Sequence, residues 1–359
     1  MRAVVLREPG KPLVFEELAL PALRPGQVQV RMQLAAVCGS QKLEVSGARG
    51  PDRFLPHLIG HEGVGIVETV GPGVVKVAPG DQVVLSWIRG SGRDGGAVVY
   101  ESSRGPVNAG AIATFCERPV VSEQCVTRVD PPVDPDVAVL AGCAIPTGAG
   151  AVLHVMPAPP DGAVAILGAG GVGLAAVCGA VLAGWPTILV ADLRPARLER
   201  ARQLGATHGL HAGEQDLAAE VRRITGAGCD LVVECAGSQA AMEAAVRLAK
   251  PCGGKVVIVG NLPAGGRMTV DPFDLISGRS LCGSWGGGVE PDRDIPRFVR
   301  LMAQGIVKAP LLLGARFPLQ RAEEAIQALD HDEPGRPIID CRVTQQVPPS
   351  PAALAGSAR

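Results

Sequence analysis

The chain has 359 residues, 47 of them Gly and 31 Pro, yet 47% are hydrophobic and the glycines keep no three-residue period, which excludes a collagen-like or low-complexity polymer. Its 34 basic and 35 acidic residues leave a formal net charge of −1, and no basic block interleaves with aromatics, which argues against a nucleic-acid partner. Ten Cys scattered over a length that predicts two domains read as metal ligands or small buried thiols, not as a secreted disulfide framework.

The N-terminal run MRAVVLREPGKPLVFEE carries charges among its first apolar residues and lacks a small-residue cleavage site. No stretch reaches the roughly 18 apolar residues of a membrane span, so a cytoplasmic location with no membrane partner is expected. Up to about Val84 the pattern is all β: the runs AVVL, VQVRMQLAAV, GVGIVETV and DQVVL alternate with the turns PGQ, GPG and APGD. From Asp161 the texture changes. GAVAIL, a glycine turn and a small-residue helix lead to the strand TILVAD and the helix RPARLERARQLGA, then to CDLVVECAG, a helix through AAMEAAVRLAK, and GKVVIVG. This spacing predicts a parallel sheet built from βαβ units. After SGRSLCGSW follow the helix IPRFVRLMAQG, a short strand at FPL, the helix RAEEAIQALD and a last strand near PIIDCRV. The tail at 346–359 has too few large apolar residues to pack and is expected to be mobile.

Gly168, Gly170 and Gly173, with Gly171 and Val172 between them, follow the strand AVAIL and open a helix. In such a G-x-G-x-x-G the first glycine permits the tight turn, the second admits a pyrophosphate to the backbone, and the third lets helix and strand pack closely. Asp192 ends the next strand about 20 residues on, where a carboxylate accepts hydrogen bonds from an adenosine ribose and repels a 2′-phosphate. NAD(H) is therefore favoured over NADP(H). Arg194 and Arg197 temper that expectation, because a nearby Arg is how a 2′-phosphate is accommodated; the alternative is a solvated helix start.

Cys38 in AAVCGSQ, His61 in LIGHEGVG and Cys143 in LAGCAIPTGAG offer zinc donors, but they lie too far apart for a local finger. Taken singly, each also reads as a buried Cys or a satisfied His. Gly60-His61-Glu62, followed by Gly65, Gly71 and Val74, resembles the signature of the zinc-containing medium-chain alcohol dehydrogenase/reductase family. The resemblance extends through PALRPGQVQVRM, VCGS, the PGD turn, GCAIPTGAGAV, GAGGVG, GATH, RFPL and GRPI, nearly the whole chain.

That resemblance implies an α/β architecture: a GroES-like β-rich catalytic domain at 1–148 and 286–345, interrupted by a doubly wound Rossmann coenzyme domain at 149–285. It implies Cys38, His61 and Cys143 as protein ligands of one catalytic zinc, with Glu62 the acidic neighbour behind it or an ordinary buried partner of a basic group. Ser40 matches the hydroxyl that accepts the substrate proton; Thr147 and Val172 match positions bordering the nicotinamide. Trp87 falls where an aromatic lines the alcohol pocket, Gln41 is placed with it there, and Arg336 matches a pyrophosphate-binding arginine, with Arg197 and Asp192 on the coenzyme side. The implied activity is reversible hydride transfer between a small-molecule alcohol and its aldehyde or ketone by a homodimer or homotetramer whose Rossmann edge strands near LCGSW pair. A carbonyl reductase or polyol/cyclitol-type dehydrogenase, or a non-catalytic NAD-binding regulator, remain as alternatives.

Two departures from the family pattern stand out. Gln41, Lys42 and Leu43 occupy the positions usually held by Asp, an apolar residue and often His, so the usual proton relay is interrupted at Leu43, and Gln41 can still hydrogen-bond a zinc-ligating His61 but without a carboxylate's charge, which makes that ligand less basic. Ser91, Asp94, Ala97 and Gly105 stand where the family's structural zinc has its four Cys, so no structural zinc is expected. The other Cys (116, 125, 178, 229, 235, 252, 282 and 341) are read as small buried hydrophobes, and His57 is read as a surface or satisfied side chain, with a place near the zinc mouth as the alternative.

Overall fold

Alternating buried and exposed side chains fold the first third of the chain into two β-layers. In the computed structural model, which describes residues 1–331 and 334–342, strands Arg2–Leu6, Val14–Ala19, Val98–Ser102, Gly105–Gly110 and His57–Leu58 close a small barrel. Gln27–Ala36, Glu62–Val70, Gln82–Ser86 and Val126–Arg128 form a second sheet, which Leu313–Pro318 and Arg336–Asp340 complete from the far end of the chain. Ile338 pairs antiparallel with Ala36, so residues after the nucleotide-type domain return to the first one and carry Arg336 with them. The tail at 346–359 lies outside the described residues.

The second domain is a six-stranded parallel sheet in the order His208–His211, Thr187–Asp192, Ala163–Leu167, Leu231–Glu234, Lys255–Ile258, Ser280–Gly283. Read in chain order this is 3-2-1-4-5-6, the Rossmann arrangement. Helices cover both faces, which is why Ala163–Leu167 is buried along its whole length and reads as an unbroken apolar run. The switch point falls after Leu167, where Gly168 begins the glycine turn.

Helices Ala144–Leu153 and Gly171–Leu182 pack across the junction between the domains, and their small residues set the spacing. A Cβ added at Gly148 would stand 2.1 Å from the Val172 carbonyl oxygen, and one at Gly179 would stand 2.6 Å from Ala149 Cα. Larger residues at either place would separate Thr147 from the glycine turn. Among the described residues, no single helix is long and apolar enough to cross a membrane.

Three details differ from the sequence expectation. A short helix, Gly39–Val45, interrupts the all-β region; it is too short to show a helical period, and its start is held by Gln41, whose Oε1 accepts the Cys38 N–H at 2.6 Å. A feature the sequence reading did not describe lies in the segment where Ser91, Asp94, Ala97 and Gly105 replace the lobe cysteines: the chain makes the hairpin Val98–Ser102/Gly105–Gly110, and buried Glu123 gathers the N–H groups of Val75, Lys76 and Arg93. Cys252 and Cys282 are exposed, not buried: Cys252 occupies a turn at φ +57°, and Cys282 lies on the edge strand Ser280–Gly283.

Candidate active site

Three chain segments converge at the junction. Cys38 precedes the helix Gly39–Val45, His61 precedes the strand Glu62–Val70, and Cys143 precedes the helix Ala144–Leu153, so each side chain projects from the end of a fixed element. One donor atom from each lies within 4.8 Å of the other two, and among the described residues this is the one such group of three. Two thiols and one imidazole form a donor set suited to zinc, with a fourth tetrahedral position left for a small molecule. The hydrogen bond from Cys143, aided by the charges of Arg336 and His61, lowers the Cys38 pKa well below a free thiol's. The same bond, with burial, keeps the proton on Cys143.

Behind the cysteines lies a charged pair. Glu62 is fully buried and accepts the N–H groups of Cys143 at 2.7 Å and Ala144 at 2.8 Å, while its other oxygen stands 3.1 Å from the Arg336 guanidinium. Burial pushes the Glu62 carboxyl up, and Arg336 and the backbone N–H groups pull it back. Burial opposes the charge on Arg336, but Glu62 and the two cysteines hold its pKa above the ordinary arginine value. Arg336 is only 3% exposed, which removes the surface-charge reading. It also reaches the glycine turn: a Cβ at Gly171 would meet its Cδ at 2.9 Å. One guanidinium thus touches the metal-type cluster and the start of the coenzyme helix.

Gln41, expected both at the pocket and as a hydrogen-bond partner of His61, is enclosed with no exposed surface and makes the second of these contacts. Its Oε1 holds Cys38 N–H and its Nε2 lies 2.8 Å from His61 Nδ1. A carboxylate would offer acceptors to both; an amide offers one acceptor and one donor, so the ring nitrogen facing Gln41 has to accept.

Among the described residues Ser40 Oγ and Thr147 Oγ1 are buried without a hydrogen-bond partner, a costly state for hydroxyls that a bound ligand would relieve. Trp87 lies edge-on to His61, ring centroids 6.4 Å apart, and edge-on to Trp285 at 4.9 Å. Trp285 is 81% exposed and was not anticipated as a site residue. Its signal in the sequence was scarcity: the chain has three Trp, and two of them meet here.

The glycine turn meets its geometric requirements. Gly168 sits at φ +90° with Ala236 Cα 2.8 Å from its would-be Cβ, and a Cβ at Gly173 would stand 1.7 Å from the Gly168 carbonyl oxygen. At Gly170 a Cβ would meet nothing within 4 Å; it would fill the open cradle at the helix start where a pyrophosphate fits. Val172 follows, half-buried, in the first turn of that helix. Asp192 caps the turn by accepting Ala169 N–H at 2.7 Å and Arg194 N–H at 2.9 Å. Arg194 and Arg197 donate to backbone carbonyls of Leu329, Asp330 and His331, tying the two domains together. Arg197 stands 4.0 Å from Asp192.

Comparison with known proteins agrees with this geometry. Residues 24–131 match the alcohol dehydrogenase GroES-like domain, and residues 171–304 match the zinc-binding dehydrogenase domain. The chain is 30% identical to S-(hydroxymethyl)glutathione dehydrogenase of Synechocystis sp., over 94% of this chain and 99% of that protein. It is 29% identical to alcohol dehydrogenase class-3 of Myxine glutinosa, over 94% and 97%. Benzyl alcohol dehydrogenase from Acinetobacter calcoaceticus superimposes with a TM-score of 0.85 at 28% identity, covering 94% of this chain and 98% of that one. The chain belongs to the zinc-containing medium-chain alcohol dehydrogenase family. It is an alcohol oxidoreductase built from a GroES-like domain and a Rossmann domain.

Proposed function

We propose that this protein is a cytoplasmic, homo-oligomeric, NAD(H)-dependent alcohol dehydrogenase with one zinc per chain, interconverting an apolar, ring-bearing alcohol and its aldehyde or ketone. The observation that carries the reading is the convergence of Cys38, His61 and Cys143, with the unpartnered hydroxyls of Ser40 and Thr147 two residues after Cys38 and four after Cys143, and Gly148 packed on the Val172 carbonyl of the glycine turn. Bound there, zinc supplies Lewis-acid stabilisation of the alcohol oxygen and the nicotinamide supplies the hydride acceptor.

The chain's own residues do the rest. Ser40 takes the hydroxyl proton, Thr147 and Val172 orient the nicotinamide ring, and Arg336 with the Gly170 and Gly171 backbone holds the pyrophosphate. Glu62 keeps Arg336 aimed and positions the backbone at Cys143. Trp87, with Trp285 edge-on beside it, offers a flat apolar wall, which favours an arene over a polyol. Asp192 at the end of its strand, with Arg194 and Arg197 engaged by carbonyls, supports NAD(H) over NADP(H). Ten unpaired cysteines fit a reducing compartment. The open edge strand Ser280–Gly283, with exposed Phe273 and Ile276 beside it, supports pairing between copies.

The test joins metal analysis to a substrate panel. Purified protein should hold one zinc per chain and reduce NAD in preference to NADP with benzylic alcohols. Two zincs per chain, or zinc and NAD binding without oxidation of any alcohol, overturns the reading. Trp285→Ala should lower kcat/KM for a benzylic alcohol about tenfold relative to a short aliphatic one, the scale of one aromatic pair. An unchanged ratio removes Trp285 from the pocket.

A further inference from the structure

The family's usual proton path ends at a histidine where this chain has Leu43, yet the same helix carries another group. Ser40 and Glu44 are one turn apart on Gly39–Val45, and residues four apart lie on one helix face. Ser40 Oγ is buried and unpartnered. The Glu44 side chain keeps 19% of its surface exposed, so it touches both the interior and the solvent. Its carboxylate has two ion-pair contacts, both long: Arg49 stands at 3.8 Å and His57 Nε2 at 3.9 Å.

His57 is fixed in place. Its Nδ1 donates to the Leu58 carbonyl at 2.8 Å, and its Nε2 lies 2.9 Å from Asp52 Oδ2. Asp52 in turn accepts the Phe54 N–H at 2.8 Å. The charged and titratable groups that face Glu44 are therefore His57, Arg49, His61 and Asp52. Burial raises the Glu44 pKa against the opposing pull of His57, Arg49 and His61. A carboxyl so placed holds a proton more readily than a surface glutamate and still has a way out to water.

We propose that Glu44 is the proton acceptor behind Ser40, replacing the histidine relay that Leu43 interrupts. The inference rests on the dehydrogenase reading above. In the oxidation the alcohol carbon gives a hydride to the oxidised nicotinamide, and the alcohol O–H gives its proton to Ser40. The Ser40 proton passes through a water to the Glu44 carboxylate and from there to solvent beside Asp52. Charge and atoms balance: one alcohol and one oxidised coenzyme yield one carbonyl product, one reduced coenzyme and one solvent proton. Glu44 acts through Ser40 and does not touch the substrate.

The experiment compares zinc-loaded wild type, Glu44→Gln and Glu44→Asp with benzyl alcohol and NAD. Glu44→Gln should keep its zinc and its NADH affinity, measured by metal analysis and fluorescence titration, while kcat for oxidation at neutral pH falls roughly 10²-fold. The pH dependence of kcat should change shape, small imidazole buffers should restore the rate in proportion to their concentration, and Glu44→Asp should recover part of it. A readout without turnover is the infrared difference spectrum on adding NAD and trifluoroethanol: a protonated-carboxyl band present in wild type and absent from Glu44→Gln. An unchanged pH profile, or the same band in Glu44→Gln, overturns the relay. A rate loss accompanied by lost zinc and no buffer rescue also overturns it, in favour of a structural role. A wild type that binds zinc and NAD but oxidises no alcohol overturns the dehydrogenase reading itself.

Discussion

His61→Ala and Cys143→Ser are expected to purify as folded chains without zinc, with alcohol oxidation lowered roughly a thousandfold or more. The magnitude follows from charge: a bound Lewis acid contributes several kcal/mol at a developing alkoxide, and each 1.4 kcal/mol is about tenfold in rate. Folding should survive because the three donors sit at the ends of elements whose cores lie elsewhere. The strand Glu62–Val70 and the helix Ala144–Leu153 are buried by their own apolar neighbours, not by the metal. Serine is an informative replacement at Cys143, since it keeps the size but offers a hydroxyl that does not ionise at neutral pH as a liganding thiol does. Zinc content by atomic emission, initial rates and far-ultraviolet circular dichroism decide the matter. Near-normal turnover in a zinc-free variant would sink the metal assignment. Gln41→Asp should act in the opposite direction: a carboxylate accepts from both Cys38 N–H and His61 Nδ1–H, so zinc should be held more tightly and released more slowly to a chelator.

What the sequence made legible was set by how local each constraint is. The glycine turn, the following helix and Asp192 could be read directly, because Gly168, Gly170, Gly173 and the strand end are tied by a spacing that one βαβ unit enforces. The ligand trio could not be read from spacing. Cys38, His61 and Cys143 come from three separated segments that only the folded sheet brings within 4.8 Å, so their joint reading depended on the resemblance of the surrounding motifs. Arg336 was placed at the pyrophosphate, but its buried pairing with Glu62 joins the first domain to a strand contributed from the far end of the chain, a contact no local pattern encodes. The Gln41–His61 contact is legible from the ligand motif, but the enclosure of Gln41 is not, because the helix Gly39–Val45 is only seven residues long and too short to show which face turns inward. Trp285 lay in a glycine-rich segment after an edge strand, where hydropathy carries no information about which partner an indole will find.

The second large effect concerns stability. Glu62→Ala should destabilise the protein by about 3–5 kcal/mol, because it leaves the Arg336 charge buried without its counter-ion and the Cys143 and Ala144 N–H groups without an acceptor. Glu62→Gln keeps an oxygen for those N–H groups but still leaves the Arg336 charge unpaired and turns an N–H toward it, so its cost should approach the same range, about 3–5 kcal/mol. The pairing itself is separable from the packing. Where a buried ion pair is replaced as a whole by neutral groups of similar volume, the desolvation cost of both charges disappears with their attraction. Glu62→Gln combined with Arg336→Met should therefore be more stable than the sum of the two single losses predicts, with a coupling of about 1–3 kcal/mol in the double-mutant cycle. Denaturant titration followed by tryptophan fluorescence measures all four proteins on the same scale. Additive losses would mean that Glu62 serves only the backbone at Cys143, whereas strong coupling would mean that the ion pair itself locks the strand bearing Arg336 against the ligand-bearing loop. Coenzyme binding then separates the two roles of Arg336: the double variant should fold yet bind NAD weakly, because the guanidinium beside Gly171 is gone while the glycine turn remains.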